Sequence, residues 1–181
     1  MRRCKLCKCK TAGLIINLNA FCSLDHAIEW ANDANRKRAA RKKESKRHKR
    51  EYYENDKQHW ERKARMACHA YIRMRDAGLP CVSCGTTESV QYAAGHYRPS
   101  GVNSKLRYDE RNIHKQCNRY CNKGMSGNLT KYRAGLVARI GEAAVAELDA
   151  NHETKRWTLE ELKEVHRYYT EKLKELKCQS T

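Results

Sequence analysis

Pro80–Lys123 opens with PCVSCG, passes through AGHYRPSG at Ala94–Gly101 and closes with NIHKQCNRYCNK at Asn112–Lys123. Cys81 and Cys84 form a knuckle with two residues between the thiols, and Cys117 and Cys121 form one with three. Two such pairs across a loop-rich insert are the sequence pattern of a tetrathiolate zinc site. Thiolates suit a borderline-soft ion, and each knuckle supplies two corners of one tetrahedron. The competing reading is a pair of disulfides. Zinc is the stronger of the two, because paired knuckles in a reduced chain have few other uses. Four sulfurs close the shell, so this zinc is structural and any chemistry sits beside it.

Beside it stand His96, Asn112, His114 and Asn122, the last directly after Cys121. This arrangement resembles the HNH, or ββα-metal, nucleases, and an Asn directly after the last Cys looks most like the endonuclease VII type. Over about Tyr71 to Asn128 the motifs GLPCVSCG, AGHYRPSG and NIHKQCNRYCNKGMSGN are similar to those of the phage NinG (Rap) recombination proteins. The resemblance implies a treble-clef-like ββα-metal nuclease core that cuts branched or four-way-junction DNA. His96 would be the general base that deprotonates water, a task suited to a neutral imidazole. Asn122 would ligate a catalytic Mg²⁺ or Mn²⁺, and Asn112 would tie down the loop that orients His96. Gly95 stands where many relatives carry Asp, and Asn122 stands in place of the usual third His. His114, or Asp109 or Glu110, is then expected to complete the metal shell. The bland alternative has His96 and His114 hydrogen-bonding within a small zinc module.

Composition bounds the rest. Only 40% of the 181 residues are hydrophobic, ten Cys and ten Tyr included, so small metal-held units joined by helices are expected instead of one large core. The formal charge of +17 favours a polyanionic partner, with nucleic acid first. No apolar run approaches the about 20 residues that span a bilayer, and MRRCKLC lacks the apolar stretch of a signal peptide. The expected location is the cytoplasm, for a phage-encoded protein that of the bacterial host, with no membrane partner.

The sequence is expected to be mainly α, with small zinc-stapled α+β modules in four regions. Residues 1–30 form a second zinc unit: Cys4 and Cys7 make a knuckle, LIINLNAF offers a hairpin or strand, and Cys22 and His26 lie four apart on one helical face. Cys9 could replace Cys7. A module of thirty residues needs such a metal to fold. Residues 31–77 form a basic helical arm. Ala31–Arg65 carries 14 basic against 6 acidic residues, and Arg41, Lys42, Lys43, Lys46, Arg47, Lys49 and Arg50 are its expected phosphate contacts. An amphipathic helix is predicted from Asp56 to Ala77, stopped by Gly78-Leu79-Pro80. The basic run upstream either continues it or is an arm that orders on phosphate.

Residues 78–128 are the core just described. Lys105–Tyr108 is a short strand candidate, and Arg98, Lys105, Arg107, Arg111, Lys115 and Arg119 are expected to line the site as phosphate contacts. Residues 129–181 form a C-terminal helical region. YRAGLVARIGEAAVAEL is helical by period despite Gly135 and Gly141, with Asn128 or Thr130 as its cap. Thr158 and Glu161 make a capping box, and Trp157 and Leu162 a hydrophobic staple. Leu162, His166, Tyr169, Leu173 and Leu176 form a seam for a partner helix, best satisfied within the chain. Cys68 and Cys178 are free thiols.

The functional expectation is a metal-dependent, structure-directed endonuclease working as a homodimer, since resolving a junction takes paired cuts. Its rivals are a nuclease with little structural preference, a zinc-stabilised DNA-binding accessory module without catalysis, and a zinc ribbon that docks on host transcription machinery.

Overall fold

The computed structural model describes residues 1–88 and 90–179, and the chain divides into two compact units, 1–55 and 56–181. It is mostly helical, with three two-stranded antiparallel sheets.

In the first unit β1 (Arg2–Arg3) pairs with β2 (Lys10–Thr11), and β3 (Leu14–Ile16) pairs with β4 (Asn19–Phe21), the hairpin expected from LIINLNAF. Helix α1 (Leu24–Glu54) follows, its first turn capped by the Ser23 hydroxyl, which accepts from His26 N–H. Phe21, Cys4 and Ala27 form a small core with Leu6 and Trp30 against it. Beyond that core α1 buries nothing, and its basic run is exposed and continuously helical.

The second unit begins with α2 (Lys57–Arg75), capped by the Asp56 carboxylate. It ends at Asp76, two residues before the predicted glycine stop. Asp76 is buried because Arg75, His114 and the Lys115 N–H all require its carboxylate, and that demand fixes the helix end. A hairpin of β5 (Tyr92–His96) and β6 (Ile113–Cys117) follows, with Tyr92 opposite Cys117 and His96 opposite Ile113. The segment expected as a strand, Lys105–Tyr108, is instead part of a 3₁₀ turn over Ser104–Tyr108, which buries Leu106 and Tyr108. A π-helical turn over Asn118–Gly124 carries Cys121. Helix α3 (Leu129–Ile140) is separated from α4 (Glu142–Ala150) by Gly141, whose φ of 83° breaks what the period reads as one helix. Helix α5 (Leu159–Gln179) completes the chain, and its Thr158–Glu161 capping box is formed in both directions.

The hairpin is the middle layer. One face, with Ala94 and Ile113, packs with Tyr108 on Ala64, Cys68, Tyr71 and Ile72 of α2 and on Leu162 and Tyr169 of α5. The predicted α5 seam is thus satisfied within the chain. A second core joins Val82 and Tyr97 to Tyr132 and Leu136 of α3 and to Val145 and Leu148 of α4. Tyr132 is fully buried and bridges hairpin to helix, donating to the Gly95 carbonyl at 2.8 Å and accepting from His114 N–H at 3.0 Å. Among the described residues no helix is long and apolar enough to cross a membrane.

Candidate metal centres and active site

Two clusters of ligand atoms, each within 4.8 Å of one another, arise where the cysteine spacing placed them: Cys81, Cys84, Cys117 and Cys121, and Cys4, Cys7, Cys22 and His26. Four sulfurs at about 2.3 Å from one ion stand about 3.8 Å apart. Cys84 and Cys117 are 3.7 Å apart, close to that edge. Backbone N–H groups point at the sulfurs, Cys117 N–H to Cys81 at 3.3 Å and Cys121 N–H to Cys117 at 3.4 Å. Burial alone would raise the Cys81 thiol, but the N–H groups of Cys117, Cys84 and Ser83 outweigh it and bring it down to about 7. Burial and crowding by the other thiols push Cys117 up to about 12. Four converging thiols with backbone N–H groups aimed at their sulfurs are a donor set that a dication completes. The donor chemistry fits structural zinc.

In the N-terminal cluster Cys4 lies 3.7 Å from His26 Nδ1 and Cys7 3.5 Å from Cys22, again near the tetrahedral edge. Cys9 crowds both Cys7 and Cys22 at 2.9 Å, too close to share an ion with them. The geometry therefore selects Cys7 over Cys9 as the fourth ligand.

His96 sits at the end of β5, half-buried against α2. Its Nε2 lies 2.9 Å from the Arg107 carbonyl, which can only accept, so Nε2 carries the hydrogen and Nδ1 keeps a lone pair. Burial lowers its pKa, the carbonyl bond partly opposes that, and the Arg107 charge adds to it, so the ring is neutral at physiological pH. His69 of α2 stands edge-on to it, ring centres 5.6 Å apart, and is itself driven down to about 4 by burial and then by His96. No motif singles out His69. The available signal is the repeat of Glu61, Arg65 and His69 at four-residue intervals along one stripe of α2. Glu61 pairs with Arg107, whose carbonyl holds His96.

Asn112 is fully buried and clamps the loop beyond His96. Its Oδ1 accepts from Arg98 N–H at 2.7 Å, and its Nδ2 donates to the carbonyls of Arg98 and Leu106, each at 3.0 Å.

His114 is elsewhere. The register sets it opposite Gly95, on the hairpin face away from His96. Its Nε2 contacts the Arg111 carbonyl, while Nδ1 faces Arg75 at 3.1 Å, Arg139 at 3.5 Å and Asp76 at 3.5 Å. A divalent cation there would meet two guanidinium groups, which disfavours the expected role of His114 as a metal ligand. Glu110 is bound to Lys172 and Tyr71, and Asp109 to Arg111. Asn122 donates to Asn118, which donates in turn to Gln91 at the zinc end of the hairpin. His96 lies four residues along β5 from Tyr92, about 13 Å by strand rise. Among the described residues the only groups of three or more His, Cys, Asp or Glu placed to hold a metal are the two cysteine clusters. A β-carbon at Gly95 would meet the Gln116 side chain, which would have to shift to admit a larger residue there.

The cations expected to line the site differ in how freely they are presented. Lys115 is buried, its ammonium on the Ala77 carbonyl at 2.8 Å and over the Tyr92 ring. Lys105 pairs with Glu153, Arg107 with Glu61, and Arg111 with Asp109 and Glu147. Arg98 contacts His152 at 3.5 Å, and Arg119 is exposed. The cations best presented to a polyanion are those of α1, where Arg41, Lys42, Lys43, Lys46, Arg47, Lys49 and Arg50 are all exposed.

Comparison with known proteins places these features. The family model described as "Bacteriophage Lambda NinG protein" matches residues 1–179. Protein ninG of Escherichia phage lambda is 50% identical over 119 residues, 66% of this chain and 58% of that protein. Protein ninG of Salmonella phage P22 is 51% identical over 119 residues, again 66% of this chain and 58% of the relative. The chain thus spans 58% of the length of these curated relatives. No solved structure matches it.

Proposed function

We propose, from the premise that this chain belongs to the bacteriophage lambda NinG family, that it is a DNA endonuclease for branched recombination intermediates in which His96 is the general base. The observation that carries this reading is the fixed tautomer of His96. Nε2–H is tied to the Arg107 carbonyl, and burial keeps the ring neutral, so Nδ1 is available to take a proton from water. The hydroxide attacks phosphorus, the bond to one deoxyribose oxygen breaks, and that oxygen takes a proton from solvent. Asn112 acts as a positioning residue, holding the loop that carries Arg98 and Leu106. The two cysteine clusters would hold structural zinc, and the exposed cations of α1 would bind phosphate without reading sequence. Mg²⁺ or Mn²⁺ enters this reading through the HNH resemblance alone. The preference for four-way junctions and the homodimer rest on the same resemblance, and the place of action is the host cytoplasm, where the thiols stay reduced.

A second reading is a zinc-stabilised DNA-binding accessory protein without catalysis. The enclosure of His114 by Arg75 and Arg139 favours it, since the expected divalent shell lacks that ligand. The two are separated by incubating the purified protein with a labelled four-way junction and a matched duplex, with Mg²⁺, with Mn²⁺ and with neither, beside His96→Ala. Paired metal-dependent cuts confined to the junction and lost in the variant support the resolvase. Equal cutting of duplex keeps the nuclease and removes its structural preference. Tight binding without incision under any condition leaves the accessory protein.

A further inference from the structure

The β3–β4 hairpin exposes four apolar side chains, Leu14, Ile15, Ile16 and Leu18, and Leu18 at the tip is 86% exposed. Asn17 and Leu18 form the two-residue turn, both with positive φ, 48° and 67°. Such a turn suits Asn-Gly, and a bulky side chain in the second position is sterically unfavourable. The Leu18 side chain gains no core contact in return, since it is not among the residues of the unit's small core. A strained, exposed apolar tip points to a binding role.

Its surroundings identify the partner. The Arg2 guanidinium donates to the Leu18 carbonyl at 3.3 Å, bracing the tip. Residues 1–24 carry five cations and no carboxylate side chain, with Asp25 and Glu29 following in α1, so the hairpin segment is strongly basic. Two kinds of anionic surface accept an apolar insertion, acidic lipid and DNA. A helix that lies on lipid needs an apolar face along its length; α1 exposes Leu24 and Ile28 in its first turns, but ten of the fifteen residues from Arg36 to Arg50 are cations. DNA fits both elements.

We infer that the β3–β4 hairpin is a wedge, with Leu18 entering the base stack of DNA at an unstacked or branched position while Arg2, Arg3 and Lys5 contact the flanking phosphates. Apolar side chains inserted at a base step use this chemistry, and a branch point has already lost the stacking that insertion must break. The inference rests on the DNA reading above and not on its catalytic part.

The test uses the full zinc-loaded chain, without other divalent ions, on a four-way junction carrying 2-aminopurine beside the branch. A linear duplex with the same base is the control. Leu18→Gly removes the wedge and relieves the backbone, so the fold is kept, and Leu18→Met retains an apolar tip. The wild type should raise the branch fluorescence. Leu18→Gly should lose that rise and about tenfold in junction affinity, with duplex affinity unchanged, whereas Leu18→Met should keep both. Unchanged fluorescence and affinity in Leu18→Gly would overturn the wedge, as would an equal loss on linear duplex. So would a Leu18→Gly defect confined to phosphatidylserine vesicles. Failure of the wild type to bind any DNA would sink the DNA reading itself, while a wedge signal here together with no incision in the Mg²⁺ and Mn²⁺ incubations above would sink only catalysis.

Discussion

His96 and His114 are the same side chain in two different environments, eighteen residues apart on paired strands. His96 is half-buried, meets one carbonyl and a second imidazole, and keeps the Nδ1 lone pair. His114 is 5% exposed and tied on both ring nitrogens. Only the first keeps a ring nitrogen outside the hydrogen bonds just described. Because burial lowers the His96 pKa below its ordinary 6.5, the neutral base persists as pH falls through that value. In the nuclease reading, junction cleavage should therefore hold down to pH 6.5, with the acid limb of a pH–rate profile below it; a midpoint above 6.5 would contradict the assigned environment. Asp76 shows the opposite balance. Burial would raise its carboxyl, but His114, Arg75 and the Lys115 N–H hold it well below the usual carboxylate range. His96 and Asn112 were legible from their motif positions. Asp76 and His69 were not: no motif marks either, and the four-residue repeat of Glu61, Arg65 and His69 marks a helix stripe without saying that it meets the hairpin.

At the scale of elements, the zinc knuckle and α3 meet through a glycine. A β-carbon at Gly135 would strike the Val82 carbonyl, so the helix interior carries the poorer helix former to let two backbones approach. Gly135→Ala should therefore destabilise by about 1–3 kcal/mol instead of stabilising by helix propensity. Urea unfolding checks the sign, and a gain in stability would mean that α3 does not rest on the knuckle. Helix α5 was legible in full, cap and seam alike, because capping boxes and apolar periods are local signals. The 3₁₀ turn at Ser104–Tyr108 was not. Its alternation reads as strand, but Leu106 and Tyr108 are buried in different cores, Leu106 under α3 and Tyr108 against α2 and α5, and a compact turn reaches both.

For the whole molecule, charge and metal divide the labour between units. Residues 1–55 hold fifteen cations against six carboxylate side chains, displayed on an exposed helix, whereas the second unit spends many of its cations in internal ion pairs. The first unit has a core of a few side chains and should depend on its metal for folding. The second has two apolar clusters of its own. Chelating the metal should thus shift the emission of Trp30, read in a Trp60→Phe, Trp157→Phe protein, while far-UV circular dichroism retains the α2–α5 helices. An unmoved Trp30 spectrum would show that the small core stands without metal. The sequence by itself determined the cysteine ligand pairs, the helices with caps and periods, and the cationic arm, because each is written in spacing over a few residues. Only the tertiary structure decided which hairpin face each histidine takes and which cations remain free. Strand register and ion pairing join residues up to sixty positions apart, and their outcome depends on what each side chain meets there.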